Sequence, residues 1–181
     1  MKTILFFGLG MIVSISTFAQ GVYKATNTSV KFFSSAPMED IEATNEKSVS
    51  LINTETKGMA FAVPINKFQF KKKLMQEHFN ENYMESEKYP KGTFKGKINE
   101  DIDFSKDGTY EVSATGKLNI HGVEKDRTLK GTLIVKGNTL TLDAKMQVTL
   151  SEHDIEIPKV VFKKIAEVVD VTVHGEYSPK E

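Results

Sequence analysis

The sequence has no cysteine and no tryptophan. Without thiols there is no disulfide framework, no thiolate metal site, no cysteine nucleophile and no lipid-bearing cysteine behind a leader. The chain must therefore be held together by its own core. Arginine occurs once, at Arg127, and 24 basic residues face 24 acidic ones. Bidentate readout of bases and phosphates depends on arginine, so no nucleic-acid partner is expected. Long apolar runs are missing as well. The block from Ile4 to Val13 is too short for a spanning helix, and nothing later is long and apolar enough.

That early block belongs to a different pattern. Met1-Lys2-Thr3 precedes it, and Thr17-Phe18-Ala19 follows just before Gln20. A basic start, an apolar centre and a small-residue cleavage site form a secretory signal peptide. Residues 1–19 are read as the leader, cleaved after Ala19, and residues 20–181 as one barrel domain large enough to bury a core. The expected location is periplasmic or secreted, with no integral membrane segment after the leader is removed.

What the rest has in abundance is alternation. Phe94, Gly96 and Ile98 take one face, and Lys95, Lys97 and Asn99 the other. Tyr110, Val112, Ala114, Gly116, Leu118 and Ile120 repeat the scheme, as do Leu140, Leu142, Ala144, Met146, Val148 and Leu150. Period-two patterning of this kind marks half-buried strands. Val169 to Val173 gives a last strand, and shorter ones are expected at Val22–Ala25, Ser29–Ser35, Ile41–Asn53 and Met59–Ile65. Turn signals fall at Asp107-Gly108, His121-Gly122 and Gly137-Asn138. About eight antiparallel strands, each apolar on one face, are most economically satisfied by a closed all-β barrel, which leaves no open edge. A two-sheet sandwich is the structural alternative.

Gly96, Ala114, Gly116, Gly131 and Ala144 all fall on the apolar face. Strand glycines commonly mark bulges or barrel corners, but five small residues on one face also predict an open lumen. An eight-stranded barrel stands near the size at which the interior is either filled or holds one small ligand. The space above Ala114, Gly116 and Ala144 is accordingly expected to hold a ligand chain.

One segment breaks the strand period. From Lys71 to Pro90, at 100° per residue, Leu74, Met75, His78 and Phe79 share a side with Tyr83 at its margin, opposite Lys73, Gln76, Glu77, Asn80 and Glu81. An amphipathic helix ending before Tyr89-Pro90 would cover a barrel end. Lys67, Lys71, Lys72, Lys73, Lys88 and Lys91 crowd around it. Such a cluster is commonly a solvated face, the more so with Glu77, Glu81, Glu85 and Glu87 interspersed; a phosphorylated ligand head is the alternative.

The four histidines offer no metal spacing and no catalytic arrangement. His78 reads as a packed side chain, His121 and His174 as outward-facing, and His153-Asp154 as a surface turn. Replacing His121 or His174 is expected to leave the fold nearly unchanged. No nucleophile elbow or phosphate loop occurs, and no carboxylate pair is singled out. No catalytic residue, metal or cofactor is therefore expected.

Four stretches carry a family likeness: Met75-Gln76-Glu77-His78-Phe79 with Tyr83; Tyr89-Pro90 with Phe94; Gly116-Lys117-Leu118-Asn119-Ile120-His121-Gly122-Val123; and Asp154-Ile155-Glu156-Ile157-Pro158. From about Val22 to Tyr177 the chain resembles the YceI-like family of bacterial exported, lipocalin-like proteins. The resemblance implies an eight-stranded antiparallel barrel whose lumen takes a long polyisoprenoid, with the helix near its mouth, and it implies no established catalytic activity. Strand and helix parity then nominate Phe70, Leu74, Met75, His78, Phe79, Phe94, Val112, Ala114, Gly116, Leu118, Leu142, Ala144 and Met146 as lipid-binding. The expected partner is an isoprenoid or other hydrophobic small molecule, with the oligomeric state, dimer included, left open. Two rivals stand beside this reading: a filled barrel acting as a stress-response or protein-interaction module, and, less favoured, a lipid-modifying enzyme.

Overall fold

The computed structural model describes residues 21–35, 40–157 and 166–180; the leader, residues 1–19, lies outside them. Ten strands follow in chain order: β1 (Val22–Ser34), β2 (Ile41–Asn45), β3 (Val49–Asn53), β4 (Gly58–Pro64), β5 (Gln69–Phe70), β6 (Lys91–Ile98), β7 (Gly108–Ile120), β8 (Val123–Lys136), β9 (Thr139–Thr149) and β10 (Val168–Pro179). Among the described residues a short helix, α1 (Lys73–His78), stands between β5 and β6.

These strands make eight staves. β2 and β3 lie end to end along β1, β2 against Val30–Ser34 and β3 against Val22–Lys24, and β5 and β4 pair with them in turn. The remaining strands follow as antiparallel neighbours, and β10 pairs back onto β1 from Tyr23↔Pro179 to Phe33↔Asp170. The result is a closed eight-stranded antiparallel barrel, and the sandwich alternative falls. Asn45 explains the break between β2 and β3. Fully buried, its side-chain amide donates to the Pro64 carbonyl (2.7 Å), while its oxygen accepts from the Lys47 N–H (2.8 Å) and the Ser48 hydroxyl (3.2 Å). A buried side chain that replaces ladder bonds in this way offers the backbone an alternative to strand pairing.

Inward and outward residues on β6, β7, β9 and β10 fall as the alternation predicts. Four elements differ from expectation, the first being the single strand expected at Ile41–Asn53, which is split into β2 and β3. β1 is one strand, with a register shift between Ala25 and Asn27, where two were expected. β8 carries no strand pattern in its first half, where Glu124, Lys125, Asp126 and Arg127 leave no apolar alternation. The helix is shorter than its pattern. Lys72 supplies no side-chain cap at its start, and three lysines there oppose the helix dipole. After His78 the coil widens into a π turn, Phe79–Tyr83, closed by Met84 N–H to Phe79 C=O at 2.9 Å.

The two ends of the barrel are built differently. Ile52, Ile98, Leu133, Val135, Leu140, Leu142 and Tyr177 are all at most 1 % exposed and fill the end formed by the start of β7 and the end of β8. The opposite end, where β7 meets β8 at Ile120 and Val123, carries α1 and the cavity.

Candidate functional site: an apolar cavity at the α1 end

The cavity measures about 480 Å³ and opens to solvent beside α1, within the roughly 300–1,000 Å³ common for small-molecule pockets. Its wall is built by strand parity. Val30 and Phe32 come from β1, Phe61 and Val63 from β4, Phe94 from β6, Leu118 and Ile120 from β7, Met146 and Val148 from β9, and Val169, Val171 and Val173 from β10. Beside the mouth four phenylalanines join into one aromatic wall. Phe32 stacks on Phe79 (5.4 Å between centroids, 20° between planes), and Phe68 and Phe70 meet both of them at 5.0–5.7 Å. Edge and offset contacts at these distances stabilise aromatic pairs beyond the area they bury.

Only Ser34, Lys72, His78, Tyr83 and Thr93 bring polar side chains to this wall among the described residues, and no Asp or Glu is among them. Ser34 accepts the Ala166 N–H at 3.0 Å and is thereby satisfied. Burial pushes the Tyr83 hydroxyl above its ordinary pKa. His78 is exposed at the lip. Among the described residues no cluster of three His, Asp or Glu could hold a metal, and no helix is long and apolar enough to cross a membrane.

Of the residues nominated from sequence, Phe70, Leu74, Met75, His78, Phe79, Phe94, Leu118 and Met146 line the cavity, and so does Tyr83 from the same helical face. Val112, Ala114, Gly116, Leu142 and Ala144 do not. Val112, Ala114, Leu142 and Ala144 surround a void of about 10 Å³ instead, close to the lower limit for a single water. The expected space over Ala114, Gly116 and Ala144 is therefore absent. A Cβ on Gly116 would collide with the Lys95 carbonyl and the Gly96 Cα, and one on Gly131 with the Asp143 carbonyl and Ala144 Cα. These glycines let strands approach closely at a coiled part of the barrel, and the Phe94 ring occupies the space over Gly96. Conversely, Val30, Phe32, Phe61, Val63, Phe68, Val169, Val171 and Val173 were passed over. They carry the signal of inward parity, and the space lies over these large residues at the α1 end rather than over the small ones.

Three histidine readings are corrected, and the first is His78, expected as a packed side chain but exposed at the lip. His121 is not outward-facing: its side chain is 11 % exposed. With φ of 53° at His121 and 78° at Gly122, the β7–β8 turn has the double left-handed backbone of a type I′ hairpin, which swings the ring onto Tyr89 (4.4 Å between centroids). Its Nε2 stands 3.1 Å from Glu85 Oε2, and its Nδ1 3.2 Å from the His153 carbonyl. His153 is fully buried rather than in a surface turn. Its Nδ1 lies 3.1 Å from the Val123 carbonyl, its Nε2 has no hydrogen-bond partner, and burial lowers its pKa against the opposing pull of that carbonyl. Together with the Arg127–Glu152 ion pair, these contacts fasten the π-turn segment, the hairpin and the Leu150–His153 turn to one another at the cavity end. His174 does point outward, with Nδ1 2.7 Å from Asp143 Oδ1.

A small closed eight-stranded β-barrel with an apolar, open-mouthed cavity at one end defines the class. The sequence model of the YceI-like domain matches residues 15–177, and the chain belongs to that family. No curated protein sequence matches it. Among solved structures the fold is similar to Burkholderia cenocepacia BcnA (TM-score 0.71, 18 % identity, covering 82 % of this chain and 95 % of that one). It is equally similar to a polyisoprenoid binding domain from Saccharophagus degradans implicated in plant cell wall breakdown (TM-score 0.71, 14 % identity, 87 % and 98 %). A Campylobacter jejuni YCEI protein follows (TM-score 0.58, 16 % identity, 100 % of both chains). At these identities the likeness establishes the fold.

Proposed function

We propose that the protein is an exported binding protein that holds or carries a polyisoprenoid or other long-chain lipid-like molecule in the cavity beside α1. The observation that carries this reading is the cavity's size and lining: about 480 Å³, walled by aliphatic and aromatic side chains, with the polar ones few and no carboxylate among the described residues. Each buried CH₂ contributes about 0.8 kcal/mol, so chain length rather than a specific polar contact would set affinity once the ordering costs are met. The polyisoprenoid-binding neighbour of the same fold and the shared family support the ligand class. Export rests on the leader pattern of residues 1–19. The filled-barrel rival suits only the Leu133–Tyr177 end; the enzyme rival calls for two carboxylates or a histidine facing into the cavity, and among the described residues the lining holds no carboxylate and one histidine, His78, exposed at the lip. The test is mass spectrometry of organic extracts from protein purified without detergent. A stoichiometric isoprenoid or long-chain lipid is expected; protein that carries none, and takes up none when stripped and incubated with a C20 isoprenoid alcohol, would overturn the reading.

A further inference from the structure

The lip of the cavity is not shaped like a finished protein surface. Leu74, on the first turn of α1, lines the cavity and yet is 61 % exposed, the most exposed of the large apolar residues described. An apolar side chain this exposed at a pocket entrance, next to half-buried Met75 and Phe70, presents a hydrophobic tip to solvent. On its N-terminal side the charge is basic. Lys71, Lys72 and Lys73 immediately precede Leu74 and are exposed, as is Lys67. Between Ile65 and Phe79 only Glu77 opposes these four lysines. Glu42 on β2 pairs with Lys31 at 2.8 Å, and Lys71 contributes after that pair to holding its carboxyl low. α1 also lacks a capping side chain and buries none of its residues, so this stretch contributes little to the core and is free to serve the surface.

From this juxtaposition we propose that the α1 lip is a docking surface for an anionic phospholipid membrane. Leu74 enters the headgroup boundary and Lys71 and Lys73 pair with lipid phosphates, which turns the cavity mouth toward the bilayer. Basic residues flanking an exposed apolar residue are the arrangement that binds anionic interfaces. Placed here, it would let a long-chain ligand pass between bilayer and cavity without crossing water. That purpose rests on the cavity being a lipid site; the docking itself does not, and it is measured on ligand-stripped protein.

The experiment is co-flotation of stripped protein with vesicles of phosphatidylcholine alone or with 30 mole per cent phosphatidylglycerol, a composition of roughly cytoplasmic-membrane anionic character. Partition onto the anionic vesicles is expected to exceed that onto neutral ones by at least about tenfold at 0.1 M salt and to vanish near 1 M, where the screening length contracts from about 10 to about 3 Å. Lys71→Glu with Lys73→Glu, neither of which lines the cavity, should lose at least about tenfold in vesicle partition. The same protein should keep its melting temperature and its uptake of a C20 isoprenoid alcohol in solution. Leu74→Ser should also detach the protein from vesicles. Equal partition onto neutral and anionic vesicles, or unchanged partition of the double lysine variant, would overturn the proposal. Loss of isoprenoid uptake by unaltered protein would instead strike the cavity reading.

Discussion

Phe32 on β1 and Phe79 at the start of the π turn stack with their ring centroids 5.4 Å apart. That single pair ties the helical insertion to the first stave of the barrel, and Phe68 and Phe70 close the group around it. Phe79→Ala removes three aromatic contacts from a half-buried position. The expected cost is about 1–3 kcal/mol, below the range for a fully buried phenylalanine. Amide exchange should rise across residues 73–84 while β7–β9 stay protected. Thermal melts and hydrogen exchange together check this; unchanged exchange in the helical segment would show that it is anchored elsewhere.

His121 supplies the other anchor, against Tyr89, Glu85 and the His153 carbonyl. His121→Ala loses the ring contact and both hydrogen bonds, and it keeps the unfavourable left-handed φ. A loss of about 1–2 kcal/mol is expected, where an exposed histidine would cost within about 0.5 kcal/mol. His121→Gly should recover part of that loss by relaxing the backbone. Equal stability of parent and His121→Ala in urea titrations would contradict the anchoring role.

Tyr177 sits at the closed end, 1 % exposed, with its hydroxyl 2.8 Å from the Ser50 hydroxyl. Burial pushes its pKa up to about 12, against the smaller opposing effect of the Ser50 bond. The folded state therefore holds this proton more tightly than the unfolded chain, whose tyrosine titrates near 10. The associated stability is complete below about pH 10 and is lost as the pH rises through about 12, amounting to about 3 kcal/mol. Tyr177→Phe should cost about 1–3 kcal/mol at neutral pH by leaving Ser50 unpaired, and it should flatten the pH dependence above 10 relative to the parent. Parallel slopes for the two proteins between pH 9 and 11.5 would rule this out.

Ala114 distinguishes the two ends of the barrel. It is 3 % exposed and borders only the small void, so Ala114→Leu should overpack the closed end and lower stability by about 1–3 kcal/mol. Any molecules that remain folded should bind isoprenoid as the parent does. Near-parental stability combined with lost binding would return the ligand to the middle of β7.

How much of this was legible in the chain depends on which physical rule governs each residue. The inward faces of β7 and β9 are set by strand pleating, a local property, and Leu118, Met146 and Val148 could be placed from period alone. The apolar side of α1 was equally legible: Leu74, Met75, His78, Phe79 and Tyr83 all reach the cavity. Which end is hollow was not legible. The room over Gly116 depends on how closely Lys95 and Gly96 approach from β6, and that over Gly131 on β9. Strand coiling of that kind belongs to the closed barrel and to no single segment. His121 was misplaced for a related reason. Strand parity ends at Ile120, and the positive φ values of the turn redirect the ring.

The central claim, that the α1-end cavity is the ligand site, is tested most directly by titrating stripped protein with a C20 isoprenoid alcohol, comparing the parent with Val171→Trp by native mass spectrometry. Val171 is half-buried on β10, between Phe32 of β1 and Met146 of β9, and lines the cavity, so an indole there would occupy the open volume rather than displace packed atoms. The account predicts a cooperative fold within about 1 kcal/mol of the parent, since the new side chain enters empty space. It also predicts one ligand bound by the parent and at least a tenfold weaker complex for Val171→Trp. Equal ligand occupancy in the two proteins at the same concentrations would contradict it.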